Sequence, residues 1–136
     1  MKKSLVFPGQ GSQKIGMGKE FFDNFQIAKE VFQNVDDCLA QNLSKLIFDG
    51  PLDELTLTEN AQPAITATSL ACFSVFKDKY KDFTPSVTAG HSLGEYTSLS
   101  ASNALSVSDT IRLVSERGRL MQIACDKNPG GMVAII

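Results

Sequence analysis

With 136 residues, 43% of them apolar and 21% charged, and a formal net charge of −2, the chain has the make-up of one globular domain. No Lys/Arg cluster stands out, which argues against a nucleic-acid or anionic-membrane partner held by charge. No stretch approaches the roughly 20 apolar residues of a membrane span, and Pro8-Gly9 ends the apolar run behind Lys2-Lys3 too early for a signal peptide.

In chain order, Ser4–Phe7 reads as a short apolar strand and Pro8-Gly9-Gln10-Gly11-Ser12 as a tight loop. From Met17 to Leu46 apolar residues recur near helical spacing, which predicts two helices. Asp49-Gly50-Pro51 signals a turn, and Leu52–Asn60 is expected to be irregular or a single turn. Gln62-Pro63 opens a long helix with proline at its first position. Ala64–Phe76 is apolar on nearly all sides, so that helix is expected to be deeply buried. Thr84-Pro85 breaks it, Ser86–Ala89 is a second strand, and Leu93–Ser102 is a helix of small residues. Ser106 or Ser108 caps a helix over Asp109–Cys125, and Met132–Ile136 begins a further apolar strand.

Strands alternating with helices point to an α/β fold with a parallel sheet. Two strands and a terminal stub make a poor sheet, so the chain is read as the N-terminal part of something larger. There is no internal repeat. Three cysteines, Cys38, Cys72 and Cys125, are widely spaced in apolar settings. They fit neither a disulfide framework nor a metal site, and are expected to be small buried thiols of a reducing compartment, with cytoplasm as the location.

Gly90-His91-Ser92-Leu93-Gly94 matches Gly-x-Ser-x-Gly, after a predicted strand and before a predicted helix. So sharp a turn crowds residues two positions either side of the serine, and glycine relieves the crowding. It exposes the Ser92 hydroxyl as a nucleophile and sets the N–H of Leu93 at a helix N-terminus, where it can bind an oxyanion. The competing reading is a Gly-rich turn whose serine caps the helix. His91, the only histidine, is a poor base for its own neighbour, because adjacent residues across such a turn point apart. It is expected to steady the elbow or line the pocket. The base is then an unidentified carboxylate or lies beyond residue 136.

At about 100° per residue, Leu113, Val114, Leu120, Met121 and Ala124 fall within about 60° of Arg117 on the last helix. Arg112 and Arg119 fall on the far side. An arginine on an apolar face needs an anion, either a structural carboxylate or a bidentate substrate carboxylate. Ligands in parallel sheets sit beyond the carboxyl ends of strands, so the first loop and the elbow share one face. The backbone N–H of Gln10 is then a candidate second oxyanion donor. The competing reading is an ordinary Gly-rich or phosphate loop, though the P-loop pattern is absent.

Phe7-Pro8-Gly9-Gln10-Gly11-Ser12-Gln13, Gln62-Pro63-Ala64, Gly90-His91-Ser92-Leu93-Gly94-Glu95-Tyr96 and Arg117-Gly118 together closely resemble the malonyl-CoA:acyl carrier protein transacylases of bacterial fatty acid synthesis. The resemblance runs along the whole chain. It implies a ping-pong transfer of malonyl from coenzyme A, through malonyl-Ser92, to the phosphopantetheine thiol of acyl carrier protein, with no metal or redox cofactor. It implies Gln10 and Leu93 as oxyanion donors, Arg117 as the malonyl-carboxylate ligand, Gln62 as its orienting neighbour and Met121 as pocket lining. The implied fold is a hydrolase-like α/β core over 1–130, with 131–136 starting an inserted ferredoxin-like subdomain. The family's histidine base lies further downstream, which leaves an incomplete, inactive fragment as an alternative. A serine esterase is another, since it shares the elbow, although the first loop and Arg117 argue against it.

Overall fold

In a computed structural model that describes residues 2–130, Ser4–Phe7 (β1) and Val87–Gly90 (β2) pair in parallel, with Val6 opposite Ala89 and Phe7 opposite Gly90. The ladder is lengthened at both ends, by Ser86 N–H to the Lys3 carbonyl at 2.8 Å and His91 N–H to the Phe7 carbonyl at 3.1 Å. The side-chain alternation of a strand gives the sheet two unlike faces. Phe7 is buried and meets the Phe73 ring edge-on at 6.1 Å, whereas Val6 on the opposite face is 74% exposed. The expected α/β architecture with a parallel pair is therefore present.

Between the strands run Lys19–Asn24 (α1), Gln26–Leu39 (α2), Leu43–Asp49 (α3), Leu52–Thr56 (α4) and Thr58–Lys79 (α5); Gly94–Ala101 (α6) and Val107–Lys127 (α7) follow β2. The core is mainly helical. Ala28, Phe32 and Val35 of α2 pack with Leu43, Ile47 and Leu55 against Ala64, Ile65, Ala67 and Ala71 of α5, with Ile111 from α7. Phe32 is 1% exposed and holds the Phe22 and Phe48 rings at centroid distances of 5.9 and 5.1 Å. Burying one such ring contributes about 1.5–3 kcal/mol.

Local expectations need correction at the long helix, at Leu52–Asn60 and at the cysteines, whereas the region from Met17 to Leu46 holds the two expected helices, α1 and α2, and then the start of α3. The break after α2 is made by Ala40 at φ 50°, whose N–H returns to Asp36 and Asp37 carbonyls. An alanine in that role carries no sequence signal, unlike the usual glycine. The long helix starts at Thr58, so Pro63 lies inside it and Leu52–Asn60 is mostly helical. The early start is a tertiary effect: the side-chain oxygen of Gln122 accepts from Thr58 N–H at 3.1 Å. The cysteines are also less buried than expected. Cys38 and Cys72 are half-buried and Cys125 is exposed, because α7 from Ile123 onward is exposed on every side among the described residues. Burial raises the Cys72 thiol pKa above its ordinary value.

Other expectations hold. Residues Ala61 to Ala67 are buried on every side of α5. Ser106 is the cap of α7, its hydroxyl accepting from Asp109 N–H at 3.0 Å and donating to the Asp109 carboxylate at 2.7 Å. The predicted strand at 132–136 lies outside the described residues.

α5 and α7 touch backbone to backbone at Gly118. A Cβ there would stand 2.7 Å from the Thr58 carbonyl oxygen and 3.0 Å from Glu59 Cα. Gly118→Ala is therefore expected to destabilise the fold by about 1–2 kcal/mol, overpacking outweighing the better helix propensity of alanine. A urea midpoint at or above that of the unsubstituted chain would show that the helices do not meet this closely.

Candidate active site

Gly90-His91-Ser92-Leu93-Gly94 joins β2 to α6. Ser92 has φ 54°, in the left-handed region that costs an ordinary residue about 1–2 kcal/mol. A Cβ on Gly90 would lie 1.9 Å from the Gly94 carbonyl carbon, inside bonding range, so the first glycine is obligatory. A Cβ on Gly94 would lie 2.5 Å from the Phe7 carbonyl oxygen and 2.7 Å from that of Pro8. The second glycine thus lets the elbow sit against the end of β1. This refines the expected reason for the motif: one glycine answers to the turn itself, the other to the neighbouring strand.

The turn leaves Ser92 exposed. Among the described residues, its Oγ has one hydrogen-bond partner, Arg117 Nη2, which donates at 2.8 Å. Leu93 is buried, and its N–H stands at the start of α6 with no acceptor among the described residues. The N–H of Gln10 is likewise without one. The first loop meets the elbow directly, since a Cβ on Gly9 would fall 2.5 Å from His91 Nδ1 and 2.7 Å from its carbonyl oxygen. Among the described residues His91 makes no hydrogen bond to Ser92, whose Oγ is engaged by Arg117. The Gln10 side chain is tied back by a bond from its Nε2 to Thr58 Oγ1 at 3.1 Å.

Arg117 reaches this place from α7. It is half-buried, at the edge rather than the centre of the buried face. That face is Thr110, Ile111, Val114 and Gly118, while Leu113 and Leu120 are 46% and 53% exposed. The wheel placed the arginine on the inward side but misjudged which apolar neighbours are covered. Arg112 and Arg119 point outward as expected and pair with Asp109 at 3.8 Å and Glu116 at 2.7 Å. The Arg119 hydrogen bond holds the Glu116 carboxyl below its usual range.

Among the described residues, Arg117 has no carboxylate partner. Instead, Nη1 donates to Gln62 Oε1 at 2.6 Å and Cζ lies 5.7 Å from the centroid of the Tyr96 ring. Gln62 is fully buried, and its Nε2 donates to Met121 Sδ at 3.2 Å. The guanidinium can only donate, so it fixes which end of the Gln62 amide faces it. Ser92, Arg117, Gln62 and Met121 therefore form one connected set, with Leu93 behind the serine and Gln10 across the first loop. Tyr96, Thr58 and Gln122 were not singled out from sequence. Tyr96 had a signal, standing in the extended motif one helical turn past Ser92; the other two act only through long-range contacts.

Replacing Gly90 by alanine is expected to break the elbow, at a cost of about 3 kcal/mol or more. Chemical denaturation checks this, together with labelling of Ser92 by a sulfonyl fluoride. A variant with unchanged stability and labelling would contradict the geometry.

Residues 4–136 match the family model described as acyl transferase domain. The malonyl CoA-acyl carrier protein transacylase of Bacillus subtilis (strain 168) is 49% identical over 135 residues, 99% of this chain and 42% of that protein. The enzyme of that name from Haemophilus influenzae is 44% identical, over 100% of this chain and 44% of its own length. The crystal structure of an acyl-carrier-protein-S-malonyltransferase from Bartonella henselae superposes with a TM-score of 0.87 at 48% identity, covering 91% of this chain and 40% of that one. A type II PKS acyl-carrier protein in complex with its malonyl-transacylase gives 0.86 at 40% identity, with the same coverage. The chain thus spans less than half the length of these relatives, and it belongs to the acyl transferase domain family.

Proposed function

We propose that this chain carries the nucleophile and acyl-anchoring half of a malonyl-CoA:acyl carrier protein transacylase. The observation that carries the reading is Arg117: a cation with no carboxylate partner among the described residues, within hydrogen-bond reach of an exposed elbow serine. A neutral acyl group leaves that charge unmatched, whereas malonyl brings a carboxylate on the carbon next to the reacting carbonyl.

In the first displacement, Ser92 Oγ bonds to the thioester carbon of malonyl-CoA and the C–S bond breaks. The serine proton passes to a base and then to the departing coenzyme A sulfur. The N–H groups of Leu93 and Gln10 face the developing oxyanion; one such donor typically contributes 10²–10³-fold, or about 3–4 kcal/mol. Arg117 takes the malonyl carboxylate, Gln62 fixes the guanidinium, and Met121 lines the acyl pocket. In the second displacement the phosphopantetheine thiol of acyl carrier protein gives its proton to the base and attacks malonyl-Ser92; the bond between the acyl carbon and Ser92 Oγ breaks, and the proton returns to Oγ. Arg117, the partner of Ser92 Oγ, cannot accept the proton, so the base comes from outside the described contacts. Neither displacement needs a metal or a redox cofactor. The reading carries with it a hydrolase-like parallel-sheet core over 1–130, supported by the β1–β2 pair, and a ferredoxin-like subdomain opening at 131. It also carries a cytoplasmic location; among the described residues no helix is long and apolar enough to cross a membrane.

Incubation with malonyl-CoA, with imidazole as exogenous base, is expected to add a malonyl group to Ser92, read by intact mass and absent in Ser92→Ala. Acetyl-CoA is expected to label more slowly, and Arg117→Ala to lose about 2 kcal/mol of that preference, roughly thirtyfold. Equal labelling by both thioesters in the unsubstituted chain would sink the reading. Release of free malonate faster than transfer to a pantetheine thiol would favour an esterase.

A further inference from the structure

Arg117 is held by two hydrogen bonds and stands over one aromatic ring. The hydrogen bonds go to Gln62 Oε1 at 2.6 Å and Ser92 Oγ at 2.8 Å, and Cζ lies 5.7 Å from the centroid of the Tyr96 ring. A guanidinium carries five N–H donors in its plane and no acceptor. Any ligand carboxylate must bind in that plane. Edge contacts therefore compete with the ligand, and a carboxylate placed to hold the cation would also neutralise it. An aromatic ring attracts the cation through its quadrupole without neutralising it, and the hydrogen bonds of Arg117 among the described residues are the two to Gln62 and Ser92.

Tyr96 also stands in a telling place. It is in the first turns of α6, and its N–H donates to the Leu93 carbonyl at 3.1 Å. The ring, the Ser92 elbow and the Leu93 N–H are thus parts of one short rigid unit. The Tyr96 hydroxyl makes no hydrogen bond to the described residues, and its ring is the part over which the Arg117 cation stands. We propose that Tyr96 is a positioning residue that holds the Arg117 guanidinium in place relative to Ser92, so that the cation selects acyl groups bearing a carboxylate. The selectivity half of this inference rests on the transacylase reading; the positioning half rests on the contact alone.

The two halves separate in one experiment on the full chain. Arg117 is modified with phenylglyoxal and its rate is followed by peptide mass mapping, with Arg112 and Arg119 as internal references; the malonyl-to-acetyl labelling ratio of Ser92 is measured alongside. Tyr96→Leu keeps apolar bulk but removes the ring face, and Tyr96→Phe keeps the face without the hydroxyl. Tyr96→Leu is expected to speed Arg117 modification by about threefold or more and to lower the malonyl preference by a similar factor, while Tyr96→Phe matches the unsubstituted chain in both. Tyr96→Gln serves the same purpose if the leucine variant does not fold. Arg117 rates unchanged in the variants lacking a ring, or raised equally by phenylalanine, overturn the positioning role. A Tyr96-dependent Arg117 rate with no malonyl preference in the unsubstituted chain overturns the transacylase reading and leaves the positioning role standing.

Discussion

The site depends on a place where three backbone segments meet without side chains between them. Gly90 lies against Gly94, and Gly94 lies against the carbonyls of Phe7 and Pro8. These contacts force Ser92 into the left-handed region and carry its hydroxyl out of the turn. They also lock the first loop to the elbow, so the N–H groups of Gln10 and Leu93 are brought to one end of the sheet by the same packing. The strain at Ser92 is small beside what a Cβ at either glycine would cost. The geometry is therefore set by sterics before any catalytic interaction is made.

The second constraint is electrostatic and comes from further along the chain. α7 approaches α5 closely enough at Gly118 to exclude a side chain, and the preceding residue is Arg117. Close backbone approach places the guanidinium beside Gln62, whose burial and bond to Met121 leave its oxygen facing the cation. Gln122, one turn past Gly118, caps the first N–H of α5, and Thr58 at that same position accepts from Gln10. One helix contact thus reaches Arg117, the start of α5 and the first loop.

Much of this was legible in the sequence, and the reasons differ by element. The strands, the buried length of α5 and the cap at Ser106 are local patterns that packing did not override. The elbow was legible because a steric demand for glycine at two fixed positions leaves a fixed spacing. Arg117 was legible as an anomaly, an ionised group on an apolar stripe, although three of its supposed apolar neighbours, Leu113, Leu120 and Ala124, are exposed. What escaped was non-local. The start of α5 depends on Gln122, the end of α2 on a left-handed alanine, and the exposure of Cys125 on how far along α7 is covered. No periodicity within a segment records these.

A cation 2.8 Å from a nucleophilic oxygen has opposed effects. Its field lowers the cost of the developing alkoxide, while its hydrogen bond engages one of the two lone pairs of the hydroxyl and makes the oxygen less nucleophilic. Under the transacylase reading, the substrate settles the balance. A malonyl carboxylate pairs with the guanidinium and competes for the N–H now given to Ser92, so its arrival relieves the engaged lone pair. A neutral thioester has nothing to offer the cation, and Arg117 stays on the serine. The same residue then discriminates at two points, by what it binds and by what it withholds.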